Sequence, residues 1–255
     1  AIPDKLYIPL TDIRMLTKVD LLMLEMLANC NWERPLYLAI SVGSVSKLKF
    51  DNYFVQEGLA FRFTPFDYKK WGDVGENRLY AVDVERLYDN VMNRYKYGGL
   101  DTPGLYLDET TLRTCWYHRR LFAQLAKELI AQGDNERAKK VLAYAEQVIP
   151  GYNVPETHES GSYDIATAYA ALGEKTKAVT LAVHLIAEAE DYINWAFSLK
   201  GNRIEMVRND CIYKFWQWNQ YNELLKKIDG EKYKESNRRF EEKYALFAPT
   251  MNYKN

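Results

Sequence analysis

Three side chains in one segment of this 255-residue sequence have types that could perform general acid–base chemistry. Asp108 and Glu109 supply carboxylates, and His118 follows in the same segment. Hydrolysis of a glycosidic bond requires two carboxyl groups that face each other about 5 to 10 Å apart. Because Asp108 and Glu109 are adjacent and the sequence places no acid opposite either one, a stand-alone glycan-processing enzyme that uses the carboxylates near Asp108 with His118 is the alternative hypothesis.

Other patterns that carry chemistry are scarce. The sequence has no glycine-rich phosphate loop, no H-E-x-x-H and no G-x-S-x-G motif. In WYHRRL, His118 stands beside Arg119 and Arg120, which could contact an anionic or sugar ligand, although basic residues on helix surfaces are common. His158 in THES has no second ligand pair at a typical zinc spacing. The sequence therefore predicts no catalytic residue, no metal site and no cofactor.

The three cysteines, Cys30, Cys115 and Cys211, are too few and too scattered for a disulfide framework. A free cysteine in a folded protein is most often a small buried residue. We therefore predict structural thiols, with a single bridge in an oxidising compartment as the alternative.

Charge and hydropathy disfavour two classes of partner. The 34 basic residues balance the 35 acidic ones without a long block of one sign, so neither nucleic acid nor an anionic membrane is a favoured partner. No window approaches the roughly 20 apolar residues of a membrane-spanning helix, which predicts no direct membrane insertion by this chain. Because the sequence begins at Ala1 rather than a methionine, we expect a piece cut from a longer protein, with any membrane link outside it.

The first predicted element is a helix in the segment TKVDLLMLEMLANC, residues 17–30. Thr17 can cap its start, and Asp20 completes a capping box. After the helix, Trp32 is expected to pack where the chain turns into a strand, and Pro35 to begin that strand because it cannot donate to a ladder. The predicted apolar face of the helix comprises Leu16, Val19, Leu22, Met23, Met26, Leu27 and Cys30.

Two strands are predicted in the first third of the chain. PLYLAISV, residues 35–42, is short and rich in strand formers, and LAFRFTPF, residues 59–66, alternates apolar and more polar positions. The 16 residues between them are enough for a helical crossover. A right-handed parallel βαβ unit is therefore the preferred interpretation.

Helices are predicted from residue 80 onward, beginning with a helix that Asp83 caps. The loop GGLDTPGLYLDETT, with its glycines, proline and acids, is the clearest internal boundary. We predict an α/β subdomain over 1–97, a connecting loop over 98–109 and a helical subdomain over 110–255. The predicted fold is α+β, with a small βαβ-containing N-terminal part followed by an α-helical tetratricopeptide-like repeat region.

Two segments of the second half resemble tetratricopeptide units. Each has a glycine between two predicted helices, and Gly133 and Gly173 are separated by 40 residues, as are Ala138 and Ala178. Small residues at such positions let paired helices approach closely. The repeat positions are Leu125, Ala126, Leu129, Ala138, Leu142 and Ala145 in the first unit, and Ile165, Ala166, Tyr169, Ala178, Ala182 and Leu185 in the second.

Stacked repeats present a concave surface formed by the first helix of each unit. Beside it we expect the 98–109 loop, and in the last helices Trp218 and Tyr221 are predicted to be core while Trp216 lies apart. A protein segment or a neighbouring domain of the same polypeptide is the expected ligand, because no compact cluster of polar residues is apparent. The residues expected to line the groove are Arg120, Gln124, Lys127, Tyr163 and Thr167.

Three motifs in order, NWERPLYLAIS, YFVQEGLAFRFTPF and the long segment from YKYGGLDTPGLYLDETT to AKKVL, resemble one known family. They are similar to the C-terminal soluble region of Bacteroidetes-type membrane proteins catalogued as domain of unknown function 2723, which are protein O-mannosyltransferase-like. The resemblance covers roughly residues 8–185. It carries over residues of unknown purpose, namely Trp32, Arg34, Pro35, Tyr53, Glu57, Gly58, Arg62, Gly99, Asp101, Tyr106, Asp108 and His118.

The resemblance implies a location and a role. In such a protein the sugar donor and the catalytic acids belong to a membrane-embedded part that is absent here, so no catalytic residue is carried over. It implies a periplasmic or extracytoplasmic, non-catalytic accessory domain that binds acceptor proteins or the parent's membrane region. Arg62, Asp101, Asp108 and His118 join the groove residues as candidate binding residues, and the oligomeric state stays open.

Overall fold

The computed structural model describes residues 6, 8, 10, 13–42, 48, 50–68, 80–199 and 203–251. The chain divides into two compact units, residues 1–96 (unit 1) and 97–255 (unit 2). It is 65% helical, with a small four-stranded sheet in its N-terminal part and a helical C-terminal region. The prediction of a mixed fold dominated by helix is confirmed at this level.

Unit 1 begins with helix α1, Lys18–Asn29. The predicted capping box is present: the Thr17 backbone N–H donates to Asp20 Oδ2 at 2.7 Å, and Thr17 Oγ1 accepts from the Asp20 N–H at 3.3 Å. The predicted apolar face is only partly right, because Leu24 packs on the core while Leu22 and Met26 are exposed. Six of the helix's seven positions from 21 to 27 are apolar, so periodicity alone does not select the buried side.

The sheet contains four short strands in the order β1-β3-β2-β4. Both β1 and β2 pair antiparallel with β3, and β2 pairs parallel with β4. In the β1–β3 ladder, Tyr37 stands opposite Arg62. The strand bounds are β1 Tyr37–Ala39, β2 Phe54–Gln56, β3 Ala60–Phe63 and β4 Ala81–Val82.

The predicted parallel βαβ unit is therefore wrong, although both of its strands exist. Residues 51–53 of the expected crossover form a 3₁₀ turn, and residues 54–56 form the additional strand β2. The tight connection through Gly58, whose φ is +154°, returns β2 into β3 as a hairpin. Adjacent strands joined by so short a connection must run antiparallel. Parallel strands would need a longer crossover connection, such as a helix.

The junction between α1 and β1 is a left-handed turn at Asn31 and Trp32, with φ values of 45° and 59°. The turn lays the Trp32 ring over Phe63, with centroids 6.1 Å apart and ring planes 9° apart. Pro35 precedes β1 by two residues rather than beginning it. The prediction that Trp32 packs at this junction is confirmed.

Helix α2, Val84–Asp89, closes unit 1 and continues into a π-helical turn, Asn90–Arg94. Asp83 caps it as predicted, because its side chain accepts from the Arg86 backbone N–H. Val84, Leu87 and Val91 form its buried side.

Unit 2 consists of helices, of which α3 pairs with α4 and α5 pairs with α6 in two helical hairpins. The apolar positions that defined the two sequence repeats are all buried. Helix α6 then packs on α8, and α8 on α9. The helix bounds are α3 Glu109–Ala131, α4 Asn135–Val148, α5 Ser162–Ala171, α6 Lys175–Ser198, α7 Arg203–Met206, α8 Arg208–Ile228 and α9 Gly230–Met251.

The last helices enclose an aromatic core. Trp218 and Tyr221 are fully buried, and the Trp218 indole N–H donates to Ser236 Oγ at 2.8 Å. Ser236 in turn donates to Asn222 Oδ1 at 2.6 Å, so the polar groups of this core are joined. The division of the aromatic series into a core side and an outer side is confirmed.

None of the helices formed by the described residues combines the length and the apolar character that a membrane crossing requires. The three cysteine thiols are free, with Cys115 and Cys211 buried, which agrees with the prediction of structural thiols.

Candidate functional site

Asp108 is the N-cap of α3. Its carboxylate accepts from the backbone N–H groups of Thr110 and Thr111 at 2.8 and 3.1 Å and from the Thr111 hydroxyl at 2.8 Å. The Thr111 hydrogen bonds hold the pKa of Asp108 below its ordinary value. Its neighbour Glu109 pairs with Arg113 at 2.6 Å on the exposed helix surface. Both carboxylates considered for catalysis thus lie at the start of α3, where Asp108 caps the helix and Glu109 forms a surface ion pair.

The three adjacent residues of the WYHRRL segment have different surroundings. His118 is partly buried with its ring edge against Tyr97, 5.4 Å between centroids, and burial lowers its pKa. Arg119 is buried, whereas Arg120 is exposed with its guanidinium 5.0 Å from the centre of the Tyr117 ring. The segment therefore supplies one candidate surface residue, Arg120, rather than a cluster.

Arg119 organises the connector between α4 and α5. Its guanidinium donates to the carbonyl oxygens of Ile149, Val154 and Pro155 and to the Ser160 hydroxyl. These acceptors lie along residues 149–160, which would otherwise leave buried carbonyl groups without partners. Arg119 therefore has a structural role: it holds the connector against α3.

The connector also holds the loop that carries Asp101. The Asn153 amide donates to the carbonyl oxygens of Leu100 and Thr102 at 2.7 and 2.6 Å. The Tyr152 hydroxyl donates to the backbone oxygen of Asp101 at 2.6 Å. The loop therefore has a defined path, and the Asp101 side chain is exposed on it.

An aromatic patch, defined as His158, Tyr163, Tyr213 and Trp216, is the most unusual surface of unit 2. The exposed Tyr213 and Trp216 rings, at 44% and 48%, stack with centroids 5.6 Å apart. The His158 ring lies within 6.0 Å of Tyr163, Tyr213 and Trp216, with centroids as reference points. Large aromatic rings held rigidly at half exposure form an apolar platform with polar edges.

His158 links this patch to the buried core of unit 2. Its Nδ1 is 2.8 Å from the hydroxyl of the buried Tyr221. Burial lowers the pKa of His158 and raises that of Tyr221, so the phenol keeps its proton and can donate to a neutral imidazole. In the sequence, the THES motif marks His158 only as half of a possible metal-ligand set. The aromatic series on α8 was the available signal that the two segments meet.

The predicted groove residues adjoin this patch in part. The Arg120 side-chain stem packs against Gly161, since a Cβ at Gly161 would lie 2.8 Å from Arg120 Cγ, and Tyr163 follows two residues later. Gln124 is partly buried and Lys127 is exposed, farther along α3. The Thr167 hydroxyl donates to the Asp164 carbonyl at 2.8 Å. Arg120 thus lies against the residue that precedes α5, the helix that carries Tyr163 and Thr167, while Lys127 lies seven residues farther along α3.

A cavity of about 520 Å³ is lined mainly by residues of α4, α5, α6 and the connector. It has an apolar floor that includes Leu142 and Ile165, and Glu146 and Lys177 form an ion pair of 2.8 Å at its rim. The Tyr169 hydroxyl donates to the same Glu146 carboxylate, which together with burial raises the pKa of Tyr169. None of the five predicted groove residues lines this cavity.

Arg62, the candidate binding residue of unit 1, lies on β3. Its Nε donates at 2.5 Å to Oε1 of Glu57, a carboxylate that is buried at the turn after β2. A second polar pocket, of about 460 Å³, opens beside this pair. Sequence analysis gave Glu57 no role of its own.

Among the described residues, no group of three or more histidine, cysteine, aspartate or glutamate side chains could hold a metal ion.

Comparison with known proteins gives one relationship. A family model described as TMEM260-associated domain 2 matches residues 1–85, which span unit 1 from its start into α2. No curated protein and no solved structure matches the chain. The N-terminal third therefore shares sequence features with the TMEM260-associated domain 2 family, and the resemblance to domain of unknown function 2723 stays a prediction.

Proposed function

We propose that this chain is a non-catalytic, extracytoplasmic interaction domain of a membrane-embedded glycosyltransferase-like protein. It binds protein segments, either of an acceptor protein or of the parent's membrane region. Two sequence relationships support the proposal: the ordered motifs that resemble domain of unknown function 2723, and the match to a domain described by its association with TMEM260. The helical hairpins of unit 2 are proposed to be tetratricopeptide-like repeats that provide the binding surface.

The observation that carries the proposal is the aromatic patch, together with the exposed Arg120, whose stem lies against Gly161, two residues before the patch residue Tyr163. Tryptophan, tyrosine and arginine are the residues that most often dominate the binding energy of protein interfaces. Here the half-exposed Trp216 and Tyr213 stack on one another, and Arg120 is exposed on α3. Because the rings of Trp216 and Tyr213 already stack on one another, less side-chain entropy is lost when a partner binds.

A protein segment suits this surface better than a small molecule does. The candidate groups are exposed or half-buried side chains on three segments, with Arg120 on α3, His158 in the connector, and Tyr213 and Trp216 on α8. Small-molecule sites are typically concave and bury most of their ligand. An extended peptide can instead contact aromatic and basic positions in succession.

The test compares binding of two charge-reversal variants to the membrane region of the full-length parent protein, immobilised in detergent. Arg120→Glu combined with Lys127→Glu changes the proposed surface, whereas Lys139→Glu with Lys140→Glu changes the exposed side of α4. We expect binding to weaken about tenfold for the first pair, the effect of roughly 1.4 kcal/mol, and to be unchanged for the second. Both pairs are expected to keep the wild-type Tm, as is usual for exposed positions.

Equal binding by the two variants would contradict the surface assignment and direct the search to unit 1 around Arg62. Loss of folding in the Arg120 pair would mean that these residues are structural. Trp216→Ala, at a half-exposed position that closes no core, then tests the same surface without any change of charge.

A further inference from the structure

Unit 1 contains a second candidate site, distinct from the proposed protein-binding surface. A polar pocket of about 460 Å³ opens beside the buried Glu57, and we call it the Glu57 pocket. This volume is within the range of small-ligand sites. The pocket is lined by Tyr37, Glu57, Arg86, Asp89, Asn90 and Arg94.

The floor of the Glu57 pocket is fixed by hydrogen bonds from four elements. Glu57 Oε1 accepts from Arg62 Nε at 2.5 Å and Arg86 Nη1 at 3.0 Å, and Oε2 accepts from the Tyr37 hydroxyl at 3.2 Å. The Asn90 amide donates to the Glu57 backbone oxygen at 2.7 Å. Only 8% of the Glu57 side chain is exposed, so its charge depends on these partners. The floor is therefore preorganised.

The rim of the pocket carries side chains that still have hydrogen-bonding capacity. Arg94, 70% exposed, donates to Asp89 Oδ2 through Nε at 2.6 Å. A guanidinium has five N–H groups, and among the described residues this bond occupies only the Nε–H of Arg94. The π-helical turn Asn90–Arg94 sets this rim, and such turns often occur at functional sites.

The charge of the pocket excludes a simple anion as its best ligand. The carboxylates of Glu57, Asp83 and Asp89 pair with the guanidinium groups of Arg62, Arg86 and Arg94, so the charged lining residues and their ion-pair partners sum to zero. A phosphate or carboxylate would gain from the guanidinium groups but would also lie near two carboxylates. A neutral ligand whose groups both donate and accept hydrogen bonds avoids this conflict.

We propose that the Glu57 pocket binds a sugar. Sugar hydroxyls can donate to the carboxylates and accept from the guanidinium groups in the same site. The half-exposed Tyr37 lines the pocket beside these groups, with its hydroxyl 3.2 Å from Glu57 Oε2. Desolvation and the neighbouring Glu57 raise the pKa of the Tyr37 hydroxyl, so it keeps the proton that it donates.

The experiment measures saturation-transfer NMR signals of four probes at 10 mM with the full chain. The probes are methyl α-mannoside, methyl α-glucoside, methyl β-galactoside and N-acetylglucosamine, and inorganic phosphate is tested by its ability to displace them. Arg94→Gln removes a rim donor at an exposed position. Its matched control is Arg113→Gln, since Arg113 is also exposed and also paired with an acid at 2.6 Å.

We expect at least one sugar to give a signal that falls at least fivefold in Arg94→Gln and is retained in Arg113→Gln. Tyr37→Ala, which removes a lining residue and the hydroxyl that donates to Glu57, should lower the signal as well. A signal from none of the probes, or one that is equal in Arg94→Gln and wild type, overturns the proposal. Displacement by phosphate at stoichiometric concentration would do so too, because it would identify an anion site. Neither result bears on the binding surface of unit 2.

Discussion

At the scale of single residues, Arg119 is the clearest example of a functional-looking side chain with a structural role. Its guanidinium is buried and contacts four oxygen acceptors of one connector, in place of a carboxylate partner. Burial lowers the pKa of Arg119, and the charge of the nearby Glu156 opposes this effect. Arginine remains charged in proteins, and its planar fork suits several carbonyl groups at once.

We predict that Arg119→Met lowers the free energy of unfolding by about 3 kcal/mol, because it leaves buried carbonyl groups without donors. Arg113→Met is the control, since Arg113 is exposed and makes a surface ion pair worth less than about 1 kcal/mol. Urea denaturation followed by circular dichroism measures both. Equal stability of the two variants would mean that water or backbone rearrangement replaces the Arg119 hydrogen bonds.

These residues show which features of a site can be predicted from the sequence: those formed by residues that are close together in the chain. The caps formed by Thr17, Asp83 and Asp108 depend on neighbours within three residues, and the first two were predicted for that reason. Asp108 was weighed for catalysis, although its two following threonines make a capping interpretation equally available. The Glu57 pocket was missed because Tyr37, Glu57 and Arg94 are far apart in sequence and come together through tertiary contacts among β1, the turn after β2 and the π-helical turn.

At the scale of elements, the helical hairpins of unit 2 turn at equivalent glycines. Gly133 and Gly173 both have a φ of +80°, a left-handed conformation that other residues adopt at a cost. A Cβ at either position would meet no atom within 4 Å. The requirement for glycine at these turns is therefore a property of the backbone alone.

We predict that Gly133→Ala and Gly173→Ala each lower the free energy of unfolding by about 1 kcal/mol. Gly230→Ala is the matched control, since Gly230 begins α9, has open space around its Cα and does not have a left-handed φ. Alanine there should leave stability unchanged or raise it by up to about 1 kcal/mol. Thermal unfolding measures all three variants, and a loss at Gly230 equal to that at the turns would contradict the explanation by φ.

The helical hairpins were predictable and the sheet was not, for one physical reason. Each hairpin consists of two helices that are consecutive in the sequence and contact each other. The glycines Gly133 and Gly173, 40 residues apart, mark their turns. Strand pairing is set by contacts between distant segments, so the strands could be located while their partners and directions could not. In unit 1, the segment YFVQEG contributes a strand of its own, which changes every pairing around it.

At the scale of the whole molecule, the described residues of the two units form cores of different size. Of the largest fully buried side chains among the described residues, Leu87 belongs to unit 1 and all others to unit 2. Unit 2 has a continuous cluster from α5 to α9, centred on Trp218 and Tyr221. Unit 1 has a smaller cluster around Phe50, Tyr53 and Phe63, against which α1 packs with only partly buried side chains.

Because burial of apolar area supplies most of the stability of a domain, these cores predict unequal stability of the two units. We expect fragment 97–255 to fold alone, with helical circular dichroism and a cooperative urea transition at the midpoint of the more stable transition of the full chain. Fragment 1–96 should unfold at a clearly lower urea concentration, since a small core leaves little net free energy of folding after the entropy cost of ordering the chain.

Trp218→Ala should lower the free energy of unfolding of fragment 97–255 by about 3 to 5 kcal/mol, which would tie its transition to the aromatic core. A fragment 97–255 that is unfolded, or a fragment 1–96 that matches its stability, would contradict the argument from core size.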